Sequence, residues 1–238
     1  MTQRLYQSLL AGLSVACLLL AASQPASATI VFDDHFDGDS GGMPEGWSLL
    51  FGPGTVVESG TTVTFAGDVA IFSDAPFDPR QGEVTLAAEF ALLTGTTGGV
   101  MGLVDATITH AIVALVHIPD GMLKIVAINE EGEQHYYPGY LSGYEGGPIR
   151  MTLALGPVSF SLSTDAPPFS TGPIDYASVF PAFTRDDQDT ASHVCVGNDS
   201  IEELDTDLCR VDRVTLDIAL PTPVELTTLG RVKALFRR

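Results

Sequence analysis

The sequence predicts an all-β fold with two antiparallel sheets packed face to face. Between residues 29 and 220, short runs of β-branched and aromatic residues are separated by Gly, Pro, Asp and Asn, which is the pattern of strands and tight turns. Helical periodicity is nearly absent from the same stretch. About a dozen such runs follow one another too closely for parallel crossovers, so we expect a β-sandwich or jelly roll.

Two hairpins are predicted from the chemistry of their turns. Pro119-Asp120-Gly121 separates the apolar runs 111–118 and 122–128, and Gly156-Pro157 separates 149–155 from 158–164. The full set of predicted strands is 30–36, 47–51, 56–58, 61–65, 69–72, 82–92, 100–106, 111–118, 122–128, 149–155, 158–164 and 211–220.

The first 28 residues are predicted to be an export signal. Arg4 provides the positive start, residues 9–22 form an apolar run of the right length, and Ala26-Ser27-Ala28 matches the small-residue cleavage pattern. We therefore expect a mature protein that begins near Thr29 and lies outside the bacterial cytoplasm, either secreted or in the periplasm. The domain organisation becomes a signal at 1–28, a sandwich at 29–220 and a tail at 221–238.

The charge of the chain excludes several classes of partner. The sequence has 30 acidic and 11 basic residues, a formal net charge of −19. Such a field repels nucleic-acid phosphates and anionic lipid, so we predict no nucleic-acid partner. After the signal, no apolar run reaches the roughly 18 residues that a membrane helix needs, so no membrane span is predicted.

Residues 221–238 are predicted to form a basic C-terminal tail with a short helix. Pro221 and Pro223 end the β pattern, and residues 226–238 place several apolar side chains at helical spacing. Two interpretations remain open for this tail, a frayed terminus and a docking or sorting tag.

The mature chain retains two cysteines, Cys195 and Cys209, because Cys17 lies inside the predicted signal. Disulfides persist in exported proteins, so we predict that the two cysteines pair. The bridge would close a loop of about 15 residues, for which chain entropy predicts roughly 3 kcal/mol of stabilisation.

Both ends of the predicted sandwich resemble a known family. Residues 33–47 read DDHFDGDSGGMPEGW, an Asp-Phe pair, a glycine-rich loop and Pro-x-Gly-Trp, and residues 210–218 read RVDRVTLDI. These stretches resemble the first and last strands of concanavalin A-like (laminin G-like) jelly-roll domains. The resemblance implies a jelly roll in which the first and last strands lie side by side.

The same resemblance implies a structural calcium ion between the first and last strands. Asp33, Asp34 and Asp212 would then supply carboxylate ligands, which Ca²⁺ prefers. The alternative is a solvated acidic loop held by local Asx turns.

Members of the family that cleave polysaccharides carry Glu-x-Asp-x-Glu on one strand, where alternate residues share a face and two carboxylates work as a pair. The nearest match is Glu203-Leu204-Asp205-Thr206-Asp207, which ends in Asp instead of Glu and lies in the predicted disulfide loop. Glu203, Asp205 and Asp207 are therefore the catalytic candidates of a hydrolase or lyase, and the alternative is an acidic loop without catalytic function.

Four tyrosines, Tyr136, Tyr137, Tyr140 and Tyr144, fall within one Gly- and Pro-rich stretch. Exposed aromatic rings suit the C–H faces of sugars, and tyrosine hydroxyls add hydrogen bonds. We predict a non-catalytic protein that binds a polysaccharide or a cell-surface glycan through these rings. Two alternatives stay open: a polysaccharide-cleaving enzyme, and a structural or adhesive envelope protein whose tyrosines are buried.

Overall fold

A computed structural model describes residues 28–95, 97–105, 107–118, 120–183, 192–200 and 207–219. In these residues the chain forms two antiparallel sheets that pack face to face, so the predicted all-β sandwich is confirmed. Residues 28–219 form one compact unit. The predicted signal, apart from Ala28, and the predicted tail lie outside the described residues. No helix within the described ranges is long and apolar enough to cross a membrane.

The described strands, in chain order, are β1 Ala28–Asp34, β2 Trp47–Phe51, β3 Thr55–Ser59, β4 Thr62–Ala66, β5 Val69–Ser73, β6 Glu83–Leu93, β7 Thr97–Val104, β8 Ala111–His117, β9 Met122–Asn129, β10 Gly132–Tyr140, β11 Ile149–Leu155, β12 Ser159–Asp165, β13 Pro168–Ser170, β14 Ile174–Asp175, β15 His193–Ser200 and β16 Leu208–Ala219. A single helical turn, α1, covers Tyr176–Val179, and a 3₁₀ turn covers Pro79–Gln81.

The strands divide into a nine-stranded sheet and a seven-stranded sheet. The nine-stranded sheet has the order β13-β12-β11-β6-β16-β4-β3, with β1 also paired to β16 and β14 to β12. The seven-stranded sheet has the order β10-β9-β8-β7-β15-β5-β2. Both predicted hairpins are confirmed, because β8 pairs with β9 and β11 pairs with β12.

The first and last described strands are neighbours, as the family resemblance implies. β1 pairs antiparallel to β16 from Ala28 opposite Ala219 to Asp34 opposite Val214. β16 also pairs along β6, so it lies inside the nine-stranded sheet, where apolar residues alternate along its length. This pairing places the acidic loop that follows β1 beside the C-terminal strand.

The core lies between the two sheets and takes alternate residues from each strand. Met101, Ile112 and Ile125 face it from the seven-stranded sheet, and Leu86 and Leu153 face it from the nine-stranded sheet. All five side chains are fully buried. Since burying a large aliphatic side chain contributes about 1.5–3 kcal/mol, this alternation fixes which face of each strand points inward.

An aromatic cluster closes the sandwich between β10 and β12. Phe180, just after α1, stacks on Phe160 with ring centroids 5.5 Å apart, and Tyr136 contacts both rings edge-on. Two polar contacts tether the same segment to the seven-stranded sheet: Asn129 donates to the carbonyl of Ala182, whose N–H donates to Gln134. The segment after α1 is therefore fastened to both sheets.

The predicted disulfide is wrong, because Cys195 and Cys209 are both free. Cys209 lies in the core between the sheets, where its Sγ is 3.5 Å from the carbonyl oxygen of Gly197. Cys195 belongs to a separate cluster with Val104 and Ala111 on the other side of the seven-stranded sheet. The sheet therefore separates the two thiols. Burial raises the pKa of Cys195 to about 12, so its thiol is protonated at neutral pH.

Candidate ligand-binding face

The seven-stranded sheet has an outer face, by which we mean the face that points away from the nine-stranded sheet. Alternate residues of β7, β8 and β9 reach this face in cross-strand rows. Val100 lies opposite Leu115, which lies opposite Lys124. Their chain neighbours Met101, Ala114 and Ile125 point into the core instead. Because side chains alternate along a strand, the outer face is set by the same register that builds the core.

Two of the four predicted tyrosines are exposed beside this face. Tyr137 and Tyr140 on β10 are 53% and 63% exposed. The β10–β9 register shifts between Tyr136 and Gly139, a bulge of the kind that redirects side chains at sheet edges. The bulge follows immediately after Tyr136, which is the last residue of β10 before the bulge to point toward the core.

The other two predicted tyrosines are not available to a ligand. Tyr136 packs into the aromatic cluster with Phe160 and Phe180. Tyr144 is buried, and its hydroxyl donates to the carbonyl of Gly147 at 2.8 Å. Burial raises the pKa of Tyr144 well above its usual value. The predicted group of four is therefore divided, and only Tyr137 and Tyr140 present rings to solvent.

Polar groups accompany the exposed ring of Tyr137 along β10. Its hydroxyl is 3.5 Å from Nδ1 of His135, whose Nε2 lies 3.2 Å from the Glu133 carboxylate. His135 lies opposite Val126, a residue of the outer face on β9. Glu133, His135 and Tyr137 therefore lie at the border of the outer face. The edge strand thus combines an aromatic surface with hydrogen-bonding groups, the combination that sugar hydroxyls and C–H faces require.

His117 is a polar residue of the outer face that the sequence patterns did not single out. It is almost wholly buried, its Nδ1 has no hydrogen-bond partner, and its Nε2 lies 3.9 Å from the Asp199 carboxylate. Burial lowers the pKa of His117, the Asp199 charge opposes this, and the Lys124 ammonium adds to it. Gly98 lies opposite, where a Cβ would be 2.9 Å from the imidazole ring. The alternation of side chains along β8 could have identified His117 from the sequence, because it places His117 on the same face of the strand as Leu115.

The three carboxylates predicted to hold calcium do not come together. Arg213 donates twice to Asp33, at 2.9 and 3.0 Å, and these hydrogen bonds lower the pKa of Asp33. Asp34 accepts from Nε1 of Trp47 at 2.7 Å. Asp212 lines a different pocket with Glu89, and burial followed by the Glu89 charge raises the pKa of Asp212. Asp33, Asp34 and Asp212 therefore do not fit one ion, and the Arg213 guanidinium links the first and last strands.

A second group of acids surrounds the loop after β1. This acidic pocket has a volume of about 560 Å³ and is lined by Asp33, Asp34, Asp37, Asp39, Glu45 and Glu58, with Gly38 and Ser40. Glu58 is only 6% exposed, and its carboxylate accepts no hydrogen bond from the described residues. As they stand, no three His, Cys, Asp or Glu side chains in the described ranges are positioned to hold one metal ion.

Of the three catalytic candidates, Glu203 and Asp205 lie outside the described residues. Asp207 is buried at the start of the last strand, where its carbonyl accepts from the N–H of Gly67 and its carboxylate lies against Gly95. The side chain therefore does not reach the outer face. The adjacent strands β7, β8 and β9 of that sheet contain no Asp or Glu, whereas β15 on the other side of β7 carries Asp199.

The fold is shared with several solved carbohydrate-related proteins. The β-agarase A of Zobellia galactanivorans aligns over 82% of this chain and 94% of its own, with a TM-score of 0.61 and 11% identity. An endo-1,3-β-glucanase from Streptomyces sioyaensis aligns over 84% and 99%, with a TM-score of 0.60 and 12% identity. A CBM2 module of the evolved Dit protein from Lactobacillus casei BL23 phage J-1 aligns over 84% of this chain and 100% of its own, with a TM-score of 0.58 and 8% identity.

These likenesses establish the concanavalin A-like jelly-roll fold that the sequence predicts. Identities near 10% show the fold alone, so function has to be argued from the side chains of this chain. No family model matches the sequence, and no curated protein sequence matches it.

Proposed function

We propose that this protein is an exported, non-catalytic carbohydrate-binding protein that holds a polysaccharide or cell-surface glycan against β10. The single observation that carries this proposal is the pair of exposed rings, Tyr137 and Tyr140, on the edge strand of a concanavalin A-like sandwich. Stacking on these rings would anchor the sugar, and His135 and Glu133 would accept or donate hydrogen bonds beside it. The similar folds of polysaccharide-active proteins support the same class of ligand.

The absence of acids from strands β7, β8 and β9 supports binding without cleavage. Hydrolysis of a glycosidic bond needs two carboxylates about 5 Å apart in retaining enzymes and further apart in inverting ones. The strands β7, β8 and β9 offer none, and Asp207 is buried away from the outer face. On the described outer face, the carboxylates of Glu133 on β10 and Asp199 on β15 are separated by these three strands, so they do not form a close acid–base pair.

Binding by the two rings is tested by Tyr137→Ala and Tyr140→Ala. Each change removes one stacking surface, and we expect each to weaken retention on insoluble β-glucan or agarose about tenfold, which corresponds to about 1.4 kcal/mol. Affinity electrophoresis with graded polysaccharide gives the dissociation constants. Val158→Ala is the matched control, because Val158 is an exposed apolar residue in the turn between β11 and β12, on the nine-stranded sheet's side of the protein.

Unchanged retention by both tyrosine variants would contradict the proposal. The enzyme alternative is judged in the same incubations by measuring reducing ends. Their release by the wild type, and loss of that release in Glu203→Gln, would identify a hydrolase instead.

We propose that the acidic pocket, and not the predicted Asp33–Asp34–Asp212 set, takes up calcium. Six acidic side chains line this pocket, and Glu58 among them is 6% exposed, so a divalent cation would find several carboxylate oxygens there. Asp37 and Glu58 are the candidate ligands. The loop would have to close on the ion, because no three acidic side chains are already in position.

Calcium should therefore raise the melting temperature relative to EDTA. An ion present at 100 times its dissociation constant stabilises the folded state by about 2.7 kcal/mol, since it does not bind the unfolded chain. Differential scanning fluorimetry of wild type and Glu58→Gln measures the effect, which the variant should lose. Equal melting temperatures for the wild type with calcium and with EDTA would refute this site.

A further inference from the structure

The edge strand β10, on which we place the glycan, is flanked by carboxylates and not by basic side chains. The sequence from residue 125 to residue 149 contains no lysine or arginine, but it contains four glutamates, Glu130, Glu131, Glu133 and Glu145. Glu130 and Glu131 form the turn before β10, Glu133 lies within the strand, and all three are exposed. A ligand on this edge therefore meets negative charge, and complementary charge on the ligand favours its binding.

Glu133 is connected to the exposed ring of Tyr137 through His135. A neutral imidazole with its proton on Nε2 satisfies both neighbours, because Nδ1 accepts from the Tyr137 hydroxyl at 3.5 Å and Nε2 donates to Oε2 of Glu133 at 3.2 Å. The Glu133 side chain is 62% exposed, and its Oε1 has no hydrogen-bond partner among the described residues. The carboxylate therefore keeps its negative charge and one free oxygen beside the ring.

No lysine or arginine of the described residues neutralises Glu133. The four described arginines belong to β11, β16 and the 3₁₀ turn, and none lies in the seven-stranded sheet. Lys124 lies on β9 beside the β10 bulge. Ile128, which is opposite Glu133, is four residues farther along β9, a distance of about 13 Å. Because salt screens charges beyond about 8 Å at physiological ionic strength, Lys124 has little effect at Glu133.

Three classes of glycan match this edge to different degrees. A glycan with uronate or sulfate groups brings negative charge to exposed glutamates on a chain whose net charge is −19, so it is repelled. A neutral glycan stacks on Tyr137 and Tyr140 but offers Glu133 only hydroxyl donors. A glycan with protonated amino groups stacks on the same rings and also offers N⁺–H donors, whose hydrogen bonds to a carboxylate are stronger than neutral ones.

We propose that the glycan bound along β10 carries free amino groups, as a glucosamine polymer does, and that an ammonium group pairs with Glu133 while a sugar ring stacks on Tyr137. This inference rests on the proposed function and names the ligand class of the same site. Glu133, His135 and Tyr137 occupy every second position of the strand, so the carboxylate and the ring are about 13 Å apart. A single sugar does not span that distance, so the site requires an oligosaccharide.

The test compares a glucosamine hexamer with an N-acetylglucosamine hexamer, which has the same chain and linkage without the charge, by isothermal titration calorimetry at neutral pH. We expect the wild type to bind the glucosamine hexamer about three- to fivefold more tightly, the upper part of the range for an exposed ion pair. Added salt should reduce this preference, because it screens the pair. Glu133→Gln should abolish the preference and leave the affinity for the acetylated hexamer unchanged.

Glu83→Gln is the matched control. It removes the same charge from an exposed glutamate at the start of β6, in the nine-stranded sheet, so it should retain the preference for the glucosamine hexamer. This control separates a local ion pair from an effect of the overall charge. Tyr137→Ala should weaken binding of both hexamers, because each stacks on that ring. Melting curves establish that each variant is folded.

Two kinds of failure are distinguishable in these measurements. Equal affinity of the wild type for both hexamers, or a preference that Glu133→Gln retains, would overturn the amino-sugar assignment while retention on agarose or β-glucan still supported glycan binding. Tighter binding of a uronate polysaccharide would overturn the assignment in the same way. Failure of the wild type to bind any of these glycans would refute both the assignment and the proposed function.

Discussion

Replacing Trp47 with alanine is expected to lower the free energy of unfolding by about 3–5 kcal/mol, the range for removing a large buried aromatic side chain. Trp47 is 4% exposed, and its ring packs edge-on against Phe32 at 5.5 Å and tilted against Phe36 at 5.4 Å. Its Nε1 donates to Asp34 at 2.7 Å. The side chain therefore joins β2 to the end of β1, so its loss removes contacts between the two sheets.

Two matched variants separate the packing from the hydrogen bond. Trp47→Phe retains an aromatic ring but removes the donor to Oδ2 of Asp34, whose Oδ1 still accepts from the N–H of Phe36, so we expect a smaller loss of about 1–3 kcal/mol. Leu49→Ala, two residues away and exposed, is the control for a neutral change in the same strand. Urea denaturation followed by circular dichroism gives each free energy. A loss below 1 kcal/mol for Trp47→Ala would show that β1 is not held by this ring.

The strands that were predicted correctly are those whose local signals agree with their tertiary environment. β8 and β9 are almost continuously apolar and flank a Pro-Asp-Gly turn, so composition and turn chemistry indicate the same hairpin. β10 reads GEQHYYPGY, and its polar residues and Gly-Pro content suggested a loop. It is a strand because its backbone pairs with β9 as the sheet edge, where polar side chains and a bulge are tolerated.

β15 was missed for a different reason. Gly197 and Asn198 resemble turn residues, yet they lie in the middle of a strand paired on both sides. Asn198 is tolerated in the core because its Nδ2 donates to the carbonyl of Gly67. Gly197 is required because a Cβ there would lie 2.5 Å from Ala70. Both reasons are tertiary contacts, which no local pattern contains.

The candidate site shows the same limit of sequence reasoning. Clustering in sequence grouped four tyrosines, but strand alternation, the β10 bulge and the buried contact of Tyr144 with Gly147 divide them into two buried and two exposed rings. The expectation that cysteines of an exported protein pair takes no account of the sheet face to which each side chain points, so it wrongly pairs Cys195 with Cys209. Cys195 and Gly197 share the outer face of β15, whereas Cys209 approaches Gly197 from the core. Side-chain direction, and not residue type, decided both outcomes.

Replacing Phe180 with alanine should destabilise the protein by about 3–5 kcal/mol and also weaken glycan binding. Phe180 is fully buried and holds Phe160 by stacking and Tyr136 edge-on, with ring centroids 6.4 Å apart in the second pair. Tyr136 is the last inward residue before the bulge that precedes Tyr140. A cavity beneath Tyr136 would therefore loosen β10 next to Tyr137 and Tyr140, the rings proposed to bind the sugar.

The measurement combines urea denaturation with polysaccharide affinity at a temperature where the variant is fully folded. Phe160→Leu serves as a graded comparison, because it retains an apolar side chain but removes the stacked ring. If β10 is positioned by this cluster, glycan affinity should fall in the order wild type, Phe160→Leu, Phe180→Ala. Full glycan affinity in a destabilised but folded Phe180→Ala would show that the pairing of β10 with β9 alone positions Tyr137 and Tyr140.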